Sequence, residues 1–244
     1  MKGRVVTSFL RAGLHRAGLE LSRYPAATPY AVHLRELLDA LRVACVLDVG
    51  AHQGEFGSLL RRVGYRGRII SFEPQVDAFA RLADRARRDP AWDVRRVAVG
   101  DRAAERELNL AADSDLASFL APTAAGIESF GTRIQSTRRE TVATVRLDAV
   151  DFPAGAFLKT DTQGFDLHVL RGAGERMADV SGVQAEAAVV PAYVGAATLV
   201  DLLAHMEQAG FVFTGLFPVK RDGKTLALLE ADCLWRRAVT QPPE

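Results

Sequence analysis

The sequence predicts a doubly wound α/β fold that closes in an antiparallel hairpin and carries an N-terminal helical extension. Three observations predict it. Short apolar runs bounded by acids or glycines alternate with segments of helical period, as buried parallel strands and their crossover helices do. The last two apolar runs are joined through Arg221-Asp-Gly223, which places an antiparallel strand at one edge of the sheet. The chain's 244 residues, 48% apolar and 25% charged, suit one α/β domain with a full core.

Residues 1–42 form the extension. In Met1 to Tyr24, Arg4, Arg11, His15, Arg16 and Arg23 stand against one acid, Glu20, and Val5, Val6, Phe9, Leu10, Leu14 and Leu21 recur at near-helical spacing. An amphipathic helix laid on the domain is expected there, ended by Tyr24-Pro25. A helix on a membrane surface is the second reading of the same pattern. His33 to Leu41 reads as a further helix, with Leu34, Leu37, Leu38 and Leu41 on one face.

The main domain, residues 43–236, opens on Val43 to Val49 as the first strand. Glu55 to Val63 is a helix, Arg68 to Phe72 a strand, Val76 to Arg88 a helix and Asp93 to Val99 a third strand. That order implies right-handed crossovers. The insertion at 102–151 is less regular: Arg106 to Leu110 and Thr141 to Leu147 alternate as an antiparallel pair, and Ala111 to Glu140 carries loop signals. Such a segment reads equally as a lid or as a surface excursion. Ala156 to Thr160 is a strand, Leu167 to Met177 a helix, Val183 to Val189 a strand and Thr198 to Ala209 a helix. Phe211 to Leu216 and Thr225 to Trp235 form the closing hairpin.

Composition narrows the function. A formal net charge of +1 gives no field to hold a polyanion, so nucleic acid is not the expected partner. Cys45 and Cys233 lie in apolar runs and read as buried thiols in a reducing, cytoplasmic setting. No uncharged apolar run reaches the roughly 18 residues of a membrane span.

In doubly wound sheets, ligands bind beyond the carboxyl ends of the strands. The first strand ends in Asp48-Val-Gly50-Ala51-His52-Gln-Gly54. Gly50 lets the chain turn, and Gly54 admits a ligand or the following helix. The turn lacks the G-x-G-x-x-G that cradles a pyrophosphate, and it carries Asp48, which suits a cofactor with an ammonium and a sulfonium. Glu73-Pro74 ends the second strand, and an acid there can accept both hydroxyls of a ribose. Gly100-Asp101 is placed to reach an adenine edge. Lys159-Thr-Asp161-Thr-Gln-Gly164-Phe-Asp166 follows the fourth main strand at the same sheet edge.

Together with Ser71 to Pro74, Val97 to Asp101, Val169 to Ala173 and Glu186, these motifs resemble the FkbM-type family of methyltransferases from about Tyr24 to Trp235. The resemblance implies a Rossmann-like class I methyltransferase sheet, S-adenosylmethionine as donor, and a hydroxyl as acceptor, usually on a sugar or natural product. Asp166 departs from the glutamate common in the family, and Thr162-Gln163 from Val-Glu. The fourth-strand motif also lacks the Asn-Pro-Pro-Tyr of nucleobase amino-methylating enzymes.

Methyl transfer to an alcohol needs its proton removed. Asp161 is the candidate base, provided burial raises its proton affinity, with Lys159 tuning the site or holding an acceptor oxygen. In the alternative, Asp161 and Glu186 hold a divalent ion that acidifies the hydroxyl. A third reading makes Lys159 and Asp161 a buried ion pair that organises the loop. Tyr193 is a candidate for lining the acceptor pocket, and His52 a second candidate base. The competing functions are an NAD(P)-dependent oxidoreductase and a non-catalytic cofactor-binding domain. Oligomeric state is left open, a homodimer included.

Overall fold

The computed structural model describes residues 28–238; the helix expected in residues 1–24 lies outside them. The order of elements is α1 (Tyr30–Ala40), β1 (Cys45–Val49), α2 (Glu55–Arg62), β2 (Arg68–Phe72), α3 (Val76–Ala86), β3 (Trp92–Arg95), β4 (Ala98–Gly100) and β5 (Ala104–Ala111). It continues with α4 (Ala124–Phe130), β6 (Ser136–Arg146), β7 (Ala156–Thr160), α5 (Asp166–Gly172), β8 (Val180–Ala188), α6 (Leu199–Gln208), β9 (Phe211–Arg221) and β10 (Leu228–Arg237).

The main sheet runs β3-β2-β1-β7-β8-β10-β9. β1 pairs parallel with β2 and β7, and β10 runs antiparallel between β8 and β9. Every residue of β1 and β7 is buried, because helices cover both faces. Alternate residues feed the two faces. Val46, Ile69 and Phe157 pack with Leu34, Leu38, Leu60 and Leu82 of α1, α2 and α3, while Leu47, Ile70 and Leu158 pack with Leu170 and Met206 of α5 and α6. The helical ends follow local rules, as where Thr198 and Asp201 form a reciprocal capping box on α6.

Two segments differ from the sequence reading. The expected third strand, Asp93 to Val99, is split: β3 pairs with β2, while β4 leaves the sheet and pairs with β6 in a second, three-stranded sheet ordered β4-β6-β5. Alternation marks extended backbone but not which sheet receives it, and the bend falls at Arg95, whose carbonyl takes the amides of Glu73 and Val97. The helix expected to reach Met177 stops at Gly172 and continues as 3₁₀ turns over Gly174–Asp179. The expected pairing of Arg106 to Leu110 with Thr141 to Leu147 is present, lengthened to β5 and β6. Ala111 to Glu140, read as loop, contains a 3₁₀ turn at Ser114–Leu116 and helix α4. Cys45 and Cys233 are buried and free. No helix of the described residues is long and apolar enough to cross a membrane.

Candidate active site

The carboxyl ends of β1, β2, β7 and β8 open into a cavity of about 780 Å³, roofed by residues of the insertion. Its floor grows from the first turn. The amides of Gly50 and Ala51 both donate to the Phe72 carbonyl, which folds the chain over the end of β2. Gly50 has φ +71°, and a Cβ there would overlap the Asp161 carbonyl oxygen. The turn after β1 and the turn after β7 therefore approach as closely as backbone allows, and the Asp161 amide donates to the Val49 carbonyl.

A polar row in register links the strands beneath. Ser71, Asp48, Lys159 and Gln184 stand side by side on β2, β1, β7 and β8. Trp92 Nε1 donates to Ser71 Oγ at 3.0 Å, and Ser71 Oγ to Asp48 Oδ2 at 2.9 Å. Lys159 Nζ lies 3.3 Å from Asp48 Oδ1 and 3.7 Å from Asp161 Oδ2, and donates to the Gly50 carbonyl at 2.9 Å. Burial works against the Lys159 charge, but Asp48 and then Asp161 outweigh it and raise its proton affinity. Lys159 thus joins the two turns through Asp48, the Gly50 carbonyl and Asp161, and Asp161 is the open end of the pair.

Glu73 is buried at the end of β2, and each carboxylate oxygen takes one backbone amide: Oε2 from His52 and Oε1 from Gln75, both at 2.8 Å. Desolvation pushes it up to about 7 despite those amides. Each oxygen keeps a free lone pair. Beside it, Phe72, Ala98, Val99, Leu108, Phe119 and Phe165 line an apolar slot.

The opposite wall is acidic. Gln163 Nε2 donates to Asp161 Oδ1 and to Glu186 Oε2, each at 3.2 Å. Tyr193, behind the wall, has two acceptors for its one hydroxyl proton, the Leu116 carbonyl at 2.9 Å and Gln163 Oε1 at 3.1 Å. The Asp161 side chain is 38% exposed and open to the cavity, and the half-buried Glu186 stands beside it. Desolvation, with repulsion from Asp161, Glu230, Asp166 and Asp232, pushes Glu186 well above the carboxylate range. Asp166 is a buckle: its Oδ1 accepts from the Thr160 hydroxyl and the Thr162 amide at the foot of the loop.

A family model described as the methyltransferase FkbM domain matches residues 48–213. The chain belongs to the FkbM methyltransferases. It is an S-adenosylmethionine-dependent methyltransferase, and its sheet is the Rossmann-like one of that class. Solved structures similar to it include a TehB-like SAM-dependent methyltransferase from Corynebacterium glutamicum (11% identity, 95% of this chain and 96% of that one, TM-score 0.42). Others are a precorrin-6y C5,15-methyltransferase from Geobacter metallireducens (12% identity, 89% and 93%, TM-score 0.44) and an rRNA methylase from Streptococcus thermophilus (9% identity, 86% and 98%, TM-score 0.44). Likeness at this level carries no argument about this chain. Among curated proteins none matches it.

In this FkbM methyltransferase, Gly50, Ala51, His52, Glu73, Pro74, Lys159, Asp161 and Glu186 all line the cavity. Four residues do not. Asp48, 0% exposed, faces Ser71 and Lys159 beneath the floor and does not reach the cavity. Gly54 serves packing, since a Cβ there would press on Leu82, Trp92 and Arg85. Asp101 turns away to His168 Nδ1 at 2.9 Å, because β4 carries it into the second sheet. Tyr193 stands one layer behind Gln163 and Leu116.

The sequence reading missed Tyr30, Gln184, Ser114, Glu230 and Asp232, which also line the cavity. The signal for two of them is legible: Glu230 and Asp232 are charges inside Leu228 to Trp235, an otherwise apolar strand. Among the described residues no three His, Cys, Asp or Glu side chains assemble to hold a metal ion; Asp161 and Glu186 share the Gln163 amide instead.

Proposed function

We propose that this methyltransferase transfers its methyl group to a hydroxyl oxygen of a small molecule, a sugar, glycolipid or other natural product. The observation that supports the reading is the open carboxylate of Asp161 in the acidic wall, with a lysine behind it and a half-buried glutamate beside it. S-adenosylmethionine supplies the methyl group already activated on a sulfonium. The fit of this cavity to it rests on Glu73, whose two free lone pairs suit ribose hydroxyls, on the apolar slot that suits adenine, and on the acids that suit positive charge.

Asp161 is the base. Its carboxylate is open to the cavity 3.7 Å from the Lys159 Nζ, while desolvation and the neighbouring acids raise the proton affinity of Glu186. Bound there, S-adenosylmethionine would supply the methyl carbon and leave as S-adenosylhomocysteine, and Asp161 would take the proton of the acceptor hydroxyl. Orienting donor and acceptor near 3–3.5 Å can contribute on the order of 7–11 kcal/mol to such a displacement. The Gln163 amide bridges Asp161 and Glu186, with the Tyr193 hydroxyl within reach of its oxygen.

Calorimetric titration with S-adenosylhomocysteine and with NADH tests the cofactor class, and binding of NADH alone would refute the reading. Asp161→Asn is expected to abolish turnover while keeping S-adenosylhomocysteine affinity within a few-fold. Retained turnover would remove Asp161 from the role of base.

A further inference from the structure

The mechanism uses Asp161 beside Glu186 but leaves two further carboxylates of the same wall, Asp232 and Glu230, without work. Asp232 stands directly opposite Glu186 in the β10–β8 register, and Glu230, two residues along, shares its face. All three line the cavity. Glu230 is only 8% exposed and, among the described residues, has neither a hydrogen-bond nor an ion-pair partner. Desolvation raises its proton affinity, and only the attraction of Lys220, beyond ion-pair distance, offsets this.

The neighbouring cations do not resolve it. Lys159 is taken by Asp48 and the Gly50 carbonyl. Lys220 donates to the Ser129 carbonyl at 3.1 Å and lies over the Phe130 ring. Nor does the first turn claim these acids: β10 is three strands from β1, about 14 Å at the usual spacing.

We propose that this wall is the recognition site for a protonated amine on the acceptor, so that the substrate is an amino-bearing alcohol such as an amino sugar. The inference rests on the methyltransferase reading above. An ammonium brings one positive charge and three donors, enough to reach Glu230 and the Glu186–Asp232 pair together. A neutral hydroxyl would meet single acceptors and leave their mutual repulsion in place. A protonated amine has no lone pair to attack a methyl group, so the wall also keeps the nitrogen from competing with the hydroxyl.

The test compares D-glucosamine with N-acetyl-D-glucosamine and D-glucose, which keep the polyol and remove the charge. Binding is measured by calorimetry or ligand-observed NMR to the full chain saturated with S-adenosylhomocysteine. Glucosamine is expected to bind at least tenfold more tightly than either neutral sugar. In Glu230→Gln/Asp232→Asn that preference should fall towards one, with S-adenosylhomocysteine affinity unchanged within a few-fold. Equal binding of the three sugars, absence of glucosamine binding, or a preference that survives in the double variant would each overturn the proposal and leave the cofactor reading intact. Failure of S-adenosylhomocysteine itself to bind would overturn both.

Discussion

His52 and Gln163 hold left-handed backbone, at φ 46° and 52°, where side chains other than glycine are disfavoured. Each costs on the order of 1–3 kcal/mol and persists only where its surroundings enforce it. Both face the cavity. The turn at His52 aims its amide at Glu73, and the turn at Gln163 sets its side-chain amide between two carboxylates. Backbone strain is thus converted into fixed carboxylate positions. Glu73→Gln keeps the shape but replaces one acceptor oxygen with a donor that faces either the His52 or the Gln75 amide. Charged hydrogen bonds contribute about 1.5–3 kcal/mol each, so S-adenosylhomocysteine affinity should fall roughly 10- to 100-fold by calorimetry. A change within threefold would separate Glu73 from the ribose. At this scale the sequence was informative where spacing alone decides: Glu73 is the last position of a strand end and has one way to face. Asp48 and Asp101 were misread because each has two neighbours to choose from. Nothing local tells Asp48 to face a lysine 111 residues away, or Asp101 to follow β4 into another sheet.

The insertion acts as an element rather than as a set of residues. It is tied to the first turn by the 2.8 Å contact of Ser114 Oγ with His52 Nε2, and to α3 by Gln75 Nε2 on the Ser114 carbonyl at 2.9 Å. It is tied to the second turn by Ser118 Oγ on the Gln163 carbonyl at 2.7 Å, and to the segment after β8 by the Tyr193 hydroxyl on Leu116. Backbone bonds from Thr123 to Ala192 and from Val194 to Ala121, with an apolar cluster of Leu116, Ile134, Ala192 and Tyr193, add to these ties. Tyr193→Phe removes the bonds to Leu116 and Gln163 from a buried position. A loss of about 1–3 kcal/mol is expected, seen as a drop of several degrees in the thermal midpoint. S-adenosylhomocysteine affinity should stay within a few-fold, since Tyr193 does not line the cavity, while the acceptor KM should rise as Gln163 loosens. An unchanged midpoint would show that the insertion does not depend on this tie. The same element shows where sequence reading stops. β1, β2, β7 and the closing hairpin are legible because burial imposes continuous apolar runs or alternation. Ala111 to Glu140 is not, because its structure comes from contacts with distant turns and not from any period of its own.

Across the whole molecule, the concentration of buried carboxylates at one sheet edge sets how stability responds to pH. Glu73 is pushed up to about 7, and Asp166 and Asp232 to about 6, each chiefly by desolvation; Glu186, Glu230 and Asp115 are raised for the same first reason. In the unfolded chain these groups titrate near 4. Between pH 4 and 7 the folded state therefore binds more protons than the unfolded one, and stability must fall as pH rises through that window. Their stabilising contribution is complete below the unfolded values and is lost as pH passes the folded ones. His33 and His205, lowered by burial, pull the other way below about 6.5, but they are outnumbered. The carboxylates lowered by arginine or backbone donors, such as Asp89 and Asp148, lose their contribution only below pH 4, outside the window. The ligand-free protein should thus melt higher at pH 5.5 than at pH 8, by on the order of 5 °C at constant ionic strength, with Glu73 alone accounting for much of the difference. Glu73→Gln should flatten the profile, because an amide keeps the burial and removes the titration. A midpoint that rises from pH 5.5 to 8 would mean that these carboxylates are better solvated than their burial implies, and the acidic wall would then carry no unmet charge for a ligand to satisfy.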